Sequence, residues 1–214
     1  MQQLHMRPNN TQGTLITFCG LDGCGKSTMI QKLSKWLEKE GKTLFLTKQP
    51  TDFVRQSQIF RTYMDQPKHD AYDYRSLSLL AASDRVQHCS KVILPQLRDG
   101  NVVISDRYIY SCIANLWGRG YTEDRWIYEI AQSVVQPDLA FFLDVPVETA
   151  VWRVRQRPTE KDRYIDMDLQ YALREAYQTL SREKNGVLLS SLDPEEETFE
   201  KVKHYVKKVM EEQK

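Results

Sequence analysis

The chain has 214 residues, 41% of them hydrophobic, with 30 basic and 29 acidic side chains and a net charge of +1. That length suits one α/β domain with a sizeable core, and the charge balance argues against a dedicated nucleic-acid binder, which carries a basic excess. No apolar run approaches a membrane span, and the four cysteines (Cys19, Cys24, Cys89, Cys112) lack metal-site spacing, which suits free thiols in the cytoplasm.

Met1 to Gly13 is polar, lacks the apolar segment of a signal peptide and reads as a disordered tail, residues 1–13. Residues 14–214 then form a single domain. Thr14 to Cys19 is apolar and β-branched, a buried strand. Gly20-Leu21-Asp22-Gly23-Cys24-Gly25-Lys26-Ser27 fits the phosphate-loop pattern G-x-x-x-x-G-K-[ST] at every fixed position. Thr28 to Glu40 follows as a helix with Ile30, Leu33 and Leu37 on one face. The glycines let the backbone curl until N–H groups from Gly20 to Thr28 point at a phosphate, and the helix dipole aims there too. Lys26 reaches the β- and γ-phosphates of ATP, and the Ser27 hydroxyl ligates Mg²⁺. Cys24 lies near a helix N-terminus, which favours a thiolate; a plain small loop residue is the preferred reading.

Thr43 to Thr47 reads as a second strand, closed by Lys48-Gln49-Pro50. A helix is expected near Phe53 to Met64, with a loop after it to Asp70. A long helix is expected from Tyr72 to Leu97, with Leu77, Leu80, Ala81, Asp84, Arg85 and His88 on one face and Pro95 near its end. Asn101 to Ser105 is a third strand, ending at Asp106-Arg107-Tyr108. Helices follow at Ile109 to Trp117 and Glu123 to Val134. Leu139 to Val145 is a fourth strand, Val147 to Arg157 a basic helix, and Pro158 to Arg163 a charged loop. Asp166 to Lys184 is an amphipathic helix, Gly186 to Ser190 a fifth strand, and Pro194 to Glu212 the last helix. Apolar strands alternating with helices indicate an α/β fold, a five-stranded parallel sheet with helices on both faces. Its chemistry gathers at the carboxyl ends of the strands.

Asp106, at the end of an apolar strand, is placed to hold Mg²⁺ or one of its waters beside the phosphates. Asp144 ends another strand and competes; Asp106 is preferred because Arg107 follows it, and an acid beside a guanidinium suits metal and phosphate together. Arg153, Arg155, Arg157 and Arg163 crowd one helix end and its loop. A solvated face accounts for Arg155. The rest suit a lid, about 153–165, that folds over nucleotide and neutralises the transferring phosphoryl group. Arg85, mid-helix beside Ala81, is read as functional ahead of a surface ion pair.

These residues resemble the thymidylate kinase family of P-loop nucleoside monophosphate kinases, from about Thr14 to Val209. The resemblance rests on the phosphate loop, on Leu80-Ala81-Ala82-Ser83-Asp84-Arg85 with Gln87-His88, on Asp106-Arg107-Tyr108 with Ser111 and Ala114, on Pro137-Asp138-Leu139 and Leu143-Asp144-Val145, and on Asp162-Arg163. It implies a P-loop kinase fold with a lid, often dimeric through helices. It also implies transfer of the γ-phosphoryl group of ATP to a nucleoside monophosphate, dTMP above all. Asp22 would contact the acceptor sugar hydroxyl, Arg107 its phosphate, and Arg85 would lie along the acceptor nucleotide, with Pro50, Ala81, Tyr108 and Ser111 around it. Some members carry a catalytic arginine in the phosphate loop, where this chain has Gly23 and Cys24. Others supply it from the lid, and Arg157 matches that arrangement, with Arg153 also available.

Three stretches depart from the family pattern. Thr47-Lys48-Gln49-Pro50 stands for Thr-Arg-Glu-Pro, Ala81 for a phenylalanine that lids the base, and Leu116 for a base-reading glutamine. Either another aromatic (Trp117, Tyr108 or Tyr110) restores a pyrimidine site, or the pocket takes a larger or modified base. The expectation is that dTMP is used weakly or alongside other monophosphates. A deoxynucleoside kinase would need a carboxylate base where Gln49 stands, and a GTPase switch would need an Asn-Lys-x-Asp signature that the chain lacks. A nucleotide-binding regulatory protein of low turnover is the alternative from a different class.

Overall fold

The computed structural model describes residues 3–65 and 71–212; the loop expected up to Asp70 lies partly outside them. In chain order the elements are β1 (Thr14–Cys19), α1 (Lys26–Lys39), β2 (Leu44–Lys48), α2 (Asp52–Arg55), α3 (Gln58–Asp65), α4 (Tyr74–His88), a π turn (Cys89–Ile93), α5 (Leu94–Arg98), β3 (Val102–Asp106), α6 (Ile109–Gly118), α7 (Trp126–Ala131), β4 (Leu139–Asp144), α8 (Val147–Arg155), α9 (Met167–Leu180), β5 (Gly186–Ser190) and α10 (Glu195–Glu212). The five strands form one sheet in the order β2-β3-β1-β4-β5, and every pairing is parallel.

β1 lies at the centre and is buried at all six positions. Both its faces need apolar cover, which is why it reads as an unbroken hydrophobic run. Phe18 stacks on Phe141 of β4 with ring centroids 5.0 Å apart; full burial of such a ring is worth about 1.5–3 kcal/mol. The edge strands β2 and β5 are only partly buried. Helix α1 packs beside α10, and α6 packs against both α4 and α9. The chain leaves β1 toward β3 and β2 on one side and reaches β4 and β5 on the other, so a crevice opens above β1, where ligands of such sheets bind.

Three segments differ from the sequence expectation. The expected Phe53–Met64 helix is two helices, because Ser57 interrupts it: its hydroxyl accepts from the Phe60 N–H at 3.3 Å and starts α3 as a cap. The long helix from Tyr72 continues into α5 only through the π turn. Pro95, in the first turn of α5, has no N–H and its ring crowds the preceding turn, and the wider turn absorbs this. The N-terminal segment departs from the disordered tail expected of it. Leu4 is buried in the core. Arg7 pairs with the strand-like backbone before β4, its N–H bonding Val134 O at 3.0 Å and its carbonyl accepting from Gln136 N at 2.7 Å. Asn9 donates to Asp138 Oδ2 at 2.7 Å, the oxygen that also accepts from Leu15 N.

His88 closes α4 against the end of β2. Its Nε2 meets Thr47 Oγ1 at 2.9 Å and its Nδ1 meets Gln49 Nε2 at 3.0 Å. With the amide donating to Nδ1, the ring is neutral and donates through Nε2 to Thr47. Burial depresses its pKa, with Asp84 opposing and Arg85 reinforcing the shift. The unfolded chain takes up a proton on this residue near pH ~6.5, the folded chain only at lower pH. Stability therefore falls as pH drops from about 6.5 through the depressed folded value. Thermal melts between pH 7 and 5, on the order of that window, should show a steeper fall for the wild type than for His88→Gln; parallel curves would contradict this.

Candidate active site

The phosphate loop takes its shape from glycines that no other residue replaces. Gly25 caps α1 in the left-handed region, φ 95°. Gly23 has φ +84°, and a Cβ there would lie 2.2 Å from Ala150 O. Lys26 is buried and curls back over the loop, its Nζ donating to Leu21 O at 2.8 Å and Gly20 O at 3.3 Å. Ser27 is exposed at the start of α1. These residues line a cavity of about 430 Å³ with Thr28, Asp106 and the lid arginines Arg153 and Arg157. The Cys24 side chain, also expected around ATP, is wholly buried and is not among the cavity's lining residues. All four cysteines are unpaired and buried.

Asp106 and Asp144 have different surroundings. Asp144 is taken by Arg174, which binds both its oxygens at 2.7 and 2.8 Å, with Gln178 at 3.2 Å. The Arg174 guanidinium holds its carboxyl below the usual carboxylate range, against partial burial. Asp106 meets Lys48 Nζ at 3.2 Å through Oδ2, while its Oδ1 is buried with no partner. An orphaned buried carboxylate oxygen on the wall of the phosphate-loop cavity fits a cation. Among the described residues no three His, Cys, Asp or Glu side chains converge, so a metal here would share its shell with phosphate oxygens, as Mg²⁺ does.

A second cavity, about 220 Å³, opens on the other side of the loop. Asp22 and Arg107 line both cavities and form the wall between them. Arg107 has φ +70°, a left-handed backbone that costs a non-glycine residue energy. It is held there by its N–H to Phe18 O at 2.8 Å and by Ser105 Oγ on its carbonyl at 2.7 Å. This twist turns its guanidinium inward, onto Asp22, Gly20 O (3.1 Å) and the Tyr177 hydroxyl (3.0 Å). Tyr177 in turn donates to Ser111 Oγ at 3.1 Å; burial raises its pKa and keeps the phenol protonated. Burial opposes the charge on Asp22, but Arg107, Lys26 and Arg163 outweigh it and hold the carboxyl well below its usual range. Arg163 reaches Asp22 Oδ2 at 3.3 Å.

Pro50, Ala81, Arg85 and Ser111, expected around the acceptor, all line this second cavity. Arg85 is buried, not on the surface, with Nη1 on Ala81 O at 2.8 Å and Nε on Tyr108 O at 3.3 Å. Gly20 and Leu21, expected around ATP, line this side of the loop instead. Tyr108 is a correction: only its carbonyl faces Arg85, while its fully buried ring turns away and its hydroxyl donates to Val135 O at 2.8 Å. Tyr110 is also fully buried, and Trp117 lines a separate surface cavity. The aromatic walls come from Phe60, Tyr63 and Tyr74. Leu116, standing for the glutamine, is in the core; its neighbour Asn115 lines the cavity, with Nδ2 on Ser111 O at 2.8 Å. Helical spacing carries that signal, because residue i+4 from Ser111 shares its face and i+5 does not.

A family model described as thymidylate kinase matches residues 18–202. The chain belongs to the thymidylate kinase family. It is 37% identical over 172 residues to a probable thymidylate kinase of Pyrococcus horikoshii, covering 79% of this chain and 83% of that protein. It is 34% identical over 202 residues to a probable thymidylate kinase of Pyrococcus abyssi (92% and 97%) and 31% identical over 208 residues to a thymidylate kinase of Prochlorococcus marinus (93% and 98%). The α/β sheet with its phosphate loop is the P-loop kinase fold expected from the sequence, and the chain is a thymidylate kinase-like, ATP-dependent phosphotransferase. Among the described residues no helix is long and apolar enough to cross a membrane.

Proposed function

We propose that the chain transfers the γ-phosphoryl group of ATP to dTMP with Mg²⁺, the phosphate-loop cavity taking ATP and the second cavity the monophosphate. The observation that carries this reading is the shared wall: Asp22 and Arg107 face both cavities, so a donor and an acceptor would meet across them. Arg107 binds the acceptor phosphate, and Asp22, kept anionic, takes the sugar hydroxyl and orients Arg107. The acceptor is already an oxyanion near neutral pH, so no general base is needed and positioning with charge neutralisation suffices. Ser27 and Asp106 would hold Mg²⁺, which neutralises phosphate charge when bound. Arg153 ties the end of α8 to Ser191 and Gly23 carbonyls at 3.1 and 3.5 Å and steadies the ATP side. A homodimer in the cytoplasm belongs to the same reading, supported by the family and by the unpaired cysteines.

The test is ADP release with dTMP as acceptor across a Mg²⁺ titration. Asp106→Asn should raise the Mg²⁺ requirement about tenfold or more with little change in the melting midpoint. Asp144→Asn should cost about 1–2 kcal/mol of stability and leave that requirement alone. Absence of dTMP-dependent ADP release would end the thymidylate reading; the reverse pattern in the two variants would move the metal to Asp144.

A further inference from the structure

The second cavity does not stop at Ala81. One and two turns earlier on the same face of α4 come Ser78, Leu77 and Tyr74, and all three line it. Across from them stand Phe60 and Tyr63, with Arg119 just past the end of α6. A phenylalanine at position 81 would divide this chamber from the part beside Arg85; alanine leaves the two continuous.

The chamber gathers unmet hydrogen-bonding capacity. Arg55, Ser78 and Arg119 all line it; Arg55 Nε is buried with no partner, and Ser78 and Arg119 share one acceptor, the Tyr74 hydroxyl. Ser78 is only 2% exposed. A buried donor left unpaired costs about 1–3 kcal/mol, so two guanidinium groups and a hydroxyl around so few acceptors point to a polar guest. Arg119 is also fixed in place. Its guanidinium lies 4.3 Å from the Tyr74 ring centre and 5.3 Å from that of Tyr63. Tyr74 stacks in turn on Tyr121, 6.3 Å away, and Tyr121 carries Arg75, which is bidentate to Asp124 at 2.7 and 2.9 Å. Ring contacts use the flat face of a guanidinium and leave its N–H edge for acceptors in its plane.

The chemistry wanted is therefore a flat, two-ring base presenting adjacent acceptors. Guanine offers N7 and O6 side by side, the pair an arginine edge matches; adenine puts a donor at the second place. Asn115 has its amide nitrogen engaged on Ser111 O, which leaves Oδ1 to accept from a purine N–H. We propose that this cavity takes a guanine nucleoside monophosphate as a second acceptor, its base lying beyond Ala81 with the N7/O6 edge on Arg119. The proposal rests on the reading of this cavity as the acceptor site.

The test compares ADP release with dTMP, dGMP and dAMP, and the shift of the melting midpoint by dGMP without ATP, in the wild type, Ala81→Phe and Arg119→Met. The wild type should use dGMP within about tenfold of dTMP in kcat/KM and at least about tenfold better than dAMP. The dGMP-to-dTMP ratio should fall at least about thirtyfold in Ala81→Phe and about tenfold in Arg119→Met, the latter through KM. Turnover of dTMP with dGMP inert and without a melting shift overturns the inference and leaves the thymidylate reading standing. Turnover of dGMP with dTMP inert does the reverse. If neither is used, both fall. An unchanged ratio in a folded Arg119→Met overturns the placement of the base.

Discussion

Lys26→Ala is expected to lower kcat by at least about a thousandfold, the scale on which charge stabilisation of a transferring phosphoryl group operates, while the protein still unfolds in one cooperative transition. The ammonium group bonds the loop's own atoms, Leu21 O, Gly20 O and Cys24 Sγ, beside a cavity open to water. Removing it leaves two carbonyls that water can satisfy and no gap in the apolar core. Its cost therefore falls on catalysis. Lysine is also the one long cation whose backbone is fixed by the loop, at the first residue of α1, so no neighbour substitutes for it: Arg153 is tied to Ser191 and Arg107 to Asp22. ADP release together with a thermal melt checks both halves. Near-normal turnover in the variant would sink the kinase reading, and a broad, low transition would show that Lys26 is a structural residue.

The parts of this molecule that are readable in one dimension are those governed by local periodicity. The five strands are apolar runs because both faces of a parallel sheet are covered, and the phosphate loop is a fixed spacing of residues with a fixed backbone shape. The acceptor cavity is different. Its floor comes from α4 and α6, its rim from α3, and its link to the lid from Arg163, and those segments are far apart in the chain. Ala81 and Arg85 were legible because they lie four apart on one helix. The family pattern counts along the chain and lands on Leu116, whereas side chains turn by about 100° per residue and bring Asn115 to the cavity. The Tyr108 side chain is core because Arg107 takes a left-handed backbone just before it, and no periodicity announces such a twist. Phe60, Tyr63 and Arg119 come together only in the tertiary fold. The N-terminal segment is polar enough to read as a tail, yet Leu4 and the Asn9–Asp138 bond anchor it. The sequence prefers Asp106 to Asp144 only through its neighbour Arg107; the partner that takes up Asp144, Arg174, lies thirty residues from it and is not visible in the sequence.

Arg157→Ala is expected to lower kcat by roughly a hundredfold with little change in the KM for ATP. The four lid arginines are not equivalent. Arg153 is held by Ser191 and Gly23, Arg163 by Asp22 and Glu160, and Arg155 is exposed on the outer face of α8. Arg157 lines the phosphate-loop cavity, and its recorded partner is Glu160 at 3.1 Å in an exposed i,i+3 pair. Such a pair is worth only about 0–1 kcal/mol, so leaving it for a phosphoryl group carrying several negative charges is downhill. Glu160 also holds Arg163 at 2.9 Å, so an Arg157 that departs does not leave the carboxylate alone. A contact made by moving onto the reacting group strengthens as charge builds there and contributes little to ground-state ATP binding, which the loop and Lys26 already provide. That predicts the split between kcat and KM. Single-turnover measurements of phosphoryl transfer, with ATP varied, read it directly. A rise in the KM for ATP with kcat unchanged would make Arg157 a ground-state binder and return the search for the phosphoryl-neutralising arginine to Arg153.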